Sequence, residues 1–201
     1  MNKHWPILFS IIYLSSCVST PEVSELGKDQ LIISNKKIEA IFHKRDGAYL
    51  GSTQFEKTAI FYSLEDNFPS LNNTYRMSPS QIIHDDETLI ARTSHDSPKL
   101  NINRSYSLDK NSIEVIWRMK NLGEEPIVGH FQVKINLALK VAKILENKTL
   151  HFENGMKMEI NSKSNLGIEL KKNSLKLYDK SPRSLGSLNR SSEIIKLSLS
   201  H

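Results

Sequence analysis

Between Phe131 and Lys140 the chain changes character at nearly every step. Phe131, Val133, Ile135, Leu137 and Leu139 are apolar, and Gln132, Lys134, Asn136 and Lys140 are polar or charged. A period of two puts successive side chains on opposite faces, the pattern of a strand with one face in a core. The same period runs through Ile113, Val115, Trp117 and Met119, with Glu114, Arg118 and Lys120 on the other face and Ile116 as the exception. Asn121-Leu122-Gly123-Glu124-Glu125-Pro126 between them is rich in turn formers. These two strands are expected to pair as antiparallel neighbours.

Other segments read the same way: Leu31 to Ile33, Lys37 to Phe42, Ala48 to Phe55, Gln81 to Ile83, Thr88 to Thr93 and Leu100 to Leu108, then Thr149 to Glu153, Met156 to Ile160, Gly167 to Leu170, Leu175 to Tyr178 and Ile194 to Leu199. Asn154-Gly155 predicts a type I′ hairpin turn. Helical patterning is thin: Leu139 to Leu145 allows one helical turn or a continued strand. Residues 60–79, with Pro69, Pro79 and three asparagines, read as a long loop. Many short strands separated by turn signals predict an all-β fold, an antiparallel β-sandwich with polar outer faces.

The first residues obey a different logic. Lys3 and His4 precede a short apolar run, Ile7 to Tyr13, followed by Leu14-Ser15-Ser16-Cys17. That order describes an export signal. A membrane-spanning helix needs about 20 apolar residues, and the run has about half that. An ordinary signal peptide with a chance cysteine is the alternative. Leu-Ser-Ser-Cys resembles the lipobox of bacterial lipoproteins. The resemblance implies cleavage before Cys17, acylation of Cys17 with palmitate-type chains, and attachment to an envelope membrane, where two or three chains on one residue hold stably. In that family an Asp after the cysteine favours the inner membrane; Val18 stands here, which points to the periplasmic face of the outer membrane in a Gram-negative cell. Cys17 is the single cysteine, so no disulfide can form within the chain.

The expected organisation is therefore a signal peptide (1–16), a lipidated tether (17–29) and a β-sandwich domain (30–201). Cleavage leaves 185 of the 201 residues, enough for a sizeable core. The formal charge of +5 includes Lys3, so the mature body is about +4. No arginine-rich or aromatic-interleaved stripe concentrates that charge, and nucleic-acid binding would want one.

Two stretches resemble the galactose mutarotase-like β-sandwich superfamily. One is Leu31 to Leu50, a strand, a turn at Arg45-Asp46-Gly47 and a second strand. The other runs from Ser105-Tyr106-Ser107-Leu108 through Ile113 to Leu122 and on to His130-Phe131-Gln132-Val133-Lys134-Ile135-Asn136-Leu137. The second is similar to the sandwich beside the catalytic barrel in some α-glucan-processing enzymes, where an acid tends to stand at the place of Lys134. The likeness implies a reduced mutarotase-like supersandwich and, where the family's activity persists, sugar epimerisation.

Epimerisation needs a general acid and a general base on opposite sides of a sugar ring. The candidates are His130, His151, Glu153 and Glu169; His151 and Glu153, two apart, would share a strand face or else be its solvated side. His84-Asp85-Asp86-Glu87 and His95-Asp96 match no calcium-loop spacing and read as solvated turns, so no metal is expected. There is no Gly-x-Ser-x-Gly nucleophile motif and no Gly-rich phosphate loop, and no cofactor is implied. Tyr62, Phe68 and Tyr75 lie in the expected loop, where binding residues tend to sit; Trp117 reads as core before it reads as a sugar platform. The leading expectation is a non-catalytic envelope lipoprotein that binds carbohydrate or another envelope component, with Tyr62, Tyr75 and Trp117 as ligand candidates. A scaffold that contacts envelope proteins, like the periplasmic domain of the insertase YidC, is the second reading, and a reduced aldose epimerase is the third.

Overall fold

A computed structural model describes residues 22–43, 49–68, 80–85, 88–93 and 100–201, with the backbone alone at 67, 80–85 and 88–93. The export segment, Cys17, Tyr75 and His95-Asp96 lie outside the described residues, as do the side chains of His84-Asp85-Asp86-Glu87. The alternating segments form strands, and every strand pair among the described residues is antiparallel.

The first sheet has the order β1 (Glu22–Leu26), β2 (Gln30–Ser34), β3 (Ile38–His43), β4 (Leu50–Phe55), β5 (Thr58–Asn67), β11 (Gln132–Leu137), β16 (Ser174–Tyr178), β15 (Gly167–Lys171). The second has β12 (Val141–Ile144), β13 (Thr149–Phe152), β14 (Lys157–Ser162), β18 (Arg190–Ser200), β9 (Ser112–Asn121), β8 (Leu100–Asp109), β7 (Thr88–Thr93), β6 (Ser80–Asp85). A two-stranded ribbon, β10 (Ile127–Gly129) with β17 (Arg183–Leu185), completes the set.

The inward faces interlock in one core. Phe42 of the first sheet meets Tyr106 of the second edge-on at 4.6 Å, and Phe131 meets Trp117 at 5.4 Å. Ile135, Leu137, Leu175 and Leu177 close one side, and Ile113, Val115, Ile195 and Leu197 the other, all essentially inaccessible to solvent. Each such side chain contributes on the order of 1.5–3 kcal/mol by leaving water. Trp117 is fully buried, which removes it as a sugar-stacking surface.

Four expectations are corrected. The strands 113–119 and 131–139 are not neighbours: β9 pairs with β8 and β18, and β11 with β5 and β16, on opposite sides of the core. Alternation reports one buried face and is silent about the partner strand. Their connection is a crossover, held where buried Asn121 donates to the carbonyls of Glu125 and Leu185 (2.7 and 2.9 Å) and accepts from Gly123 N–H. Secondly, residues 58–67 are not loop but a central strand of the first sheet. Ile60 and Phe61 are both buried, and the register shifts beside them, so the period of two is broken there. Thirdly, residues 22–26, placed in the tether, pair along the whole of β2. Finally, the Asn154-Gly155 hairpin exists but is not type I′: among its residues only Gly155 has a positive φ (89°), and its N–H bonds the Phe152 carbonyl. This is a three-residue connection with glycine in the left-handed position.

Two ionic clusters sit inside the sandwich. Arg104 on β8 forks onto Asp66 on β5 at 2.6 and 2.7 Å, both side chains about 95% buried. At the far end of β16, Arg183 forks onto Asp179 at 2.6 and 2.7 Å and reaches Glu193 on β18 at 2.5 Å. The remaining carboxylate capacity is taken by Phe131 N–H on Asp179 and Ser164 N–H on Glu193. Burial works against the Arg183 charge, and the hydrogen bonds it donates to Asp179 and Glu193 outweigh it, so its pKa rises.

Candidate functional site

Because facing residues of paired strands share a side of the sheet, the register fixes what the outer face of the first sheet presents. One row reads Glu65, Lys134, Lys176, Glu169 across β5, β11, β16 and β15. The next reads Ser63, Asn136, Ser174, Lys171, and on the other side Gln132 faces Tyr178, which faces Gly167. The polar halves of the alternating strands thus meet as a grid of amides, hydroxyls and charges.

A cleft of about 240 Å³ opens in this grid, lined by Gln132, Lys134, Glu169, Lys171, Ser174 and Lys176. Its rim is ordered by short contacts: Asn136 Nδ2 donates to Ser63 Oγ (2.7 Å), Ser63 Oγ donates to Glu65 (2.9 Å), and Lys171 pairs with Glu169 at 2.8 Å. The Tyr178 ring lies across Gly167, where an added Cβ would fall 2.6 Å from Cζ, and the Lys176 ammonium sits 5.7 Å from the ring centre. Glycine here leaves room for the half-buried Tyr178 ring, which stands outside the cleft lining but opposite its Gln132.

Lys134 and Lys176 stand directly opposite each other between the two acids. The hydrogen bond from Lys171, and then its charge, hold the Glu169 carboxyl below the usual glutamate range, and the same bond raises Lys171. A carboxylate so held stays ionised and is a weak proton donor. No histidine lines the cleft.

The residues singled out in the sequence are not brought together. His130 is exposed, with Nδ1 2.9 Å from the Asp179 carbonyl oxygen. His151 is on the outer face of the second sheet, facing Lys157, with Lys143 opposite it on β12. Burial, and then the charges of Lys143 and Lys157, lower its pKa. Glu153 does not share that face: β13 ends at Phe152, and Glu153 enters the turn to pair with Lys140 at 2.6 Å. Tyr62 is 61% exposed on β5 and does not line the cleft. Among the described residues no group of three His, Cys, Asp or Glu side chains is placed to hold a metal. Of the sequence candidates among the described residues, Glu169 alone reaches the site. Gln132, Ser174, Lys176 and Tyr178 were legible as polar or half-buried strand positions, but only the pairing of β11 with β16 joins them.

Neither a family model nor a curated protein matches the sequence. Solved structures do. A protein from Synechocystis sp. PCC 6803 is 12% identical, with 98% of this chain and 99% of that one covered at a TM-score of 0.61. A galactose mutarotase-like protein from Clostridium acetobutylicum is 10% identical, with 90% and 98% covered at 0.61. The 4-alpha-glucanotransferase of Thermococcus litoralis is 10% identical, with 89% of this chain and 39% of that one covered at 0.59. At such identities the likeness is one of fold, and that fold is the galactose mutarotase-like β-sandwich.

Proposed function

We propose that this chain is a membrane-tethered, non-catalytic saccharide-binding module, and that the outer face of the first sheet is where the sugar sits. The observation that carries the reading is a cleft of amide, hydroxyl and ammonium groups with the Tyr178 ring at its margin, outside the lining but opposite Gln132 and packed over Gly167. A sugar offers one apolar face for a ring to cover and a rim of hydroxyls for planar donors and acceptors to meet. Solved structures of the same fold include a galactose mutarotase-like protein and a glucanotransferase, which supports a saccharide as the ligand class. The lipobox resemblance at Cys17 supplies the tether and an envelope location.

The test is a saccharide panel read by calorimetry on the full chain in detergent. Tyr178→Ala and Lys134→Gln are expected to weaken binding at least tenfold with the fold intact, and equal affinity in wild type and both variants would refute the site. Cys17→Ser is expected to release the protein from the membrane fraction; continued sedimentation with membranes would refute the lipid anchor. A scaffold reading has one observation in its favour, the exposed Leu122, Val128 and Leu188 along the crossover, ribbon and following turn. It predicts a stoichiometric envelope protein captured by crosslinking and lost in Val128→Asp.

A further inference from the structure

A second groove lies on the opposite side of the molecule, on the outer face of the second sheet. Its volume is about 590 Å³, within the range of roughly 300–1,000 Å³ usual for ligand sites. Four cations line it: Arg118 and Lys120 on β9, Arg190 on β18, and Lys163 just past β14. Among the described residues no carboxylate lines it and none of the four cations has an acidic partner.

The register makes this arrangement costly in the empty protein. Lys120 faces Arg190 directly across the β9–β18 pair, and like charges in facing positions destabilise a sheet. Arg118, two residues along β9 from Lys120, faces Ser192 on one side and Asn103 on the other. Arg118 is further held by donating to Ser105 Oγ at 2.8 Å, and Lys163 by donating to Ser192 Oγ at 2.8 Å. Arg118, Lys163 and Arg190 are exposed and Lys120 is half-buried, so the four charges in this concave surface are open to an external anion. The amides of Asn101 and Asn103 and the hydroxyl of Ser192 are interleaved with the charges. A bare anionic surface would use the charges alone, whereas a sugar chain bearing sulfate or phosphate groups uses both: guanidinium forks for the oxyanions, amides and hydroxyls for the ring oxygens.

We infer that this groove binds an anionic saccharide, a sugar chain carrying sulfate or phosphate esters, at a site separate from the Tyr178 cleft. The test uses the full chain in detergent with heparin tetrasaccharide as the probe, maltotetraose as its neutral counterpart, and inorganic sulfate and glycerol 1-phosphate as simple anions. Heparin tetrasaccharide is expected to bind, more weakly as salt rises, and to bind at least tenfold better than maltotetraose or either simple anion. Lys120→Gln/Arg190→Gln and Arg118→Gln should each lower that affinity at least tenfold, whereas Tyr178→Ala should leave it unchanged. The thermal midpoint of Lys120→Gln/Arg190→Gln should hold or rise, because a repulsive pair is gone. The inference is overturned if the tetrasaccharide does not bind, if the simple anions bind as tightly, if Tyr178→Ala abolishes binding while the groove variants retain it, or if the double variant melts well below wild type.

Discussion

Replacing Arg183 with methionine tests how the two sheets are locked at one end. In the folded chain this guanidinium serves two carboxylates from different sheets, Asp179 at the end of β16 and Glu193 on β18, whose side chains are 6% and 0% exposed. Methionine keeps much of the apolar stem over the Phe131 ring, which the guanidinium carbon now overlies at 5.3 Å, but it strands both anions with only the Phe131 and Ser164 N–H groups as donors. Removing one partner of a buried ion pair costs about 3–5 kcal/mol. Arg183→Met belongs at the upper end because two anions lose one cation. Glu193→Gln keeps the fork on Asp179 and should cost about 1–2 kcal/mol. Asp179→Asn/Arg183→Met/Glu193→Gln buries no charge and should recover most of the loss, since a neutral set in place of a buried ion set is often near-neutral. Urea unfolding followed by tryptophan fluorescence reads these differences as midpoint shifts at constant slope. An Arg183→Met protein within about 1 kcal/mol of wild type, or a triple variant less stable than Arg183→Met, would refute the reasoning.

Two further outcomes follow from single positions. His151 should titrate in NMR with a midpoint below about 6.5, and Lys143→Gln/Lys157→Gln should move it upward; because its folded pKa lies below the unfolded value, stability is fullest above about pH 6.5 and falls as pH drops through that value toward the folded pKa, a slope that His151→Gln should remove. Gly167→Ala puts a methyl 2.6 Å from the Tyr178 ring, so the ring must swing out; we expect a loss of about 1 kcal/mol in a melting experiment and a larger proportional loss of saccharide affinity, and an unchanged affinity would count against Tyr178 as the platform.

The sequence made strands legible wherever a strand has one wet face and one dry face. Between Phe131 and Leu137 every apolar residue is buried and every polar one is at least partly exposed. Where both neighbours turn inward, as Ile60 and Phe61 do at a bulge, or where the inward residue is ionic, as Asp66 is, the same rule hid a ten-residue central strand. Glu193 and Arg104 break the pattern in the same way: each stands at an inward position because a partner from outside its own sheet neutralises it, Asp66 of the first sheet for Arg104 and Arg183 of the ribbon for Glu193. The sites were less legible than the fold for a related reason. Glu169 and Lys176 face each other across one hairpin, but Lys134 lies dozens of residues earlier in the chain, and nothing local in its segment says that β11 pairs with β16 and not with β9.

The buried ions give a physical reason for that choice of pairing and stacking. Arg104, Trp117 and Glu193 occupy facing register positions on β8, β9 and β18, so they form one continuous row on the inner face of the second sheet. Asp66 of the first sheet meets one end of this row, and Asp179, through Arg183, meets the other. Apolar side chains in a sandwich are largely interchangeable, and a sheet that slid by two residues would still bury leucine against isoleucine. A slide of that size would separate Arg104 from Asp66 and Glu193 from Arg183 together, leaving Arg104, Asp66 and Glu193 unpaired in the core, each at a cost of several kcal/mol, while Arg183 keeps Asp179. The two clusters thus contribute alignment more than net stability. That alignment fixes how the two sheets sit on each other, with the cleft beside Tyr178 on the outer face of the first sheet and the four-cation groove on the outer face of the second.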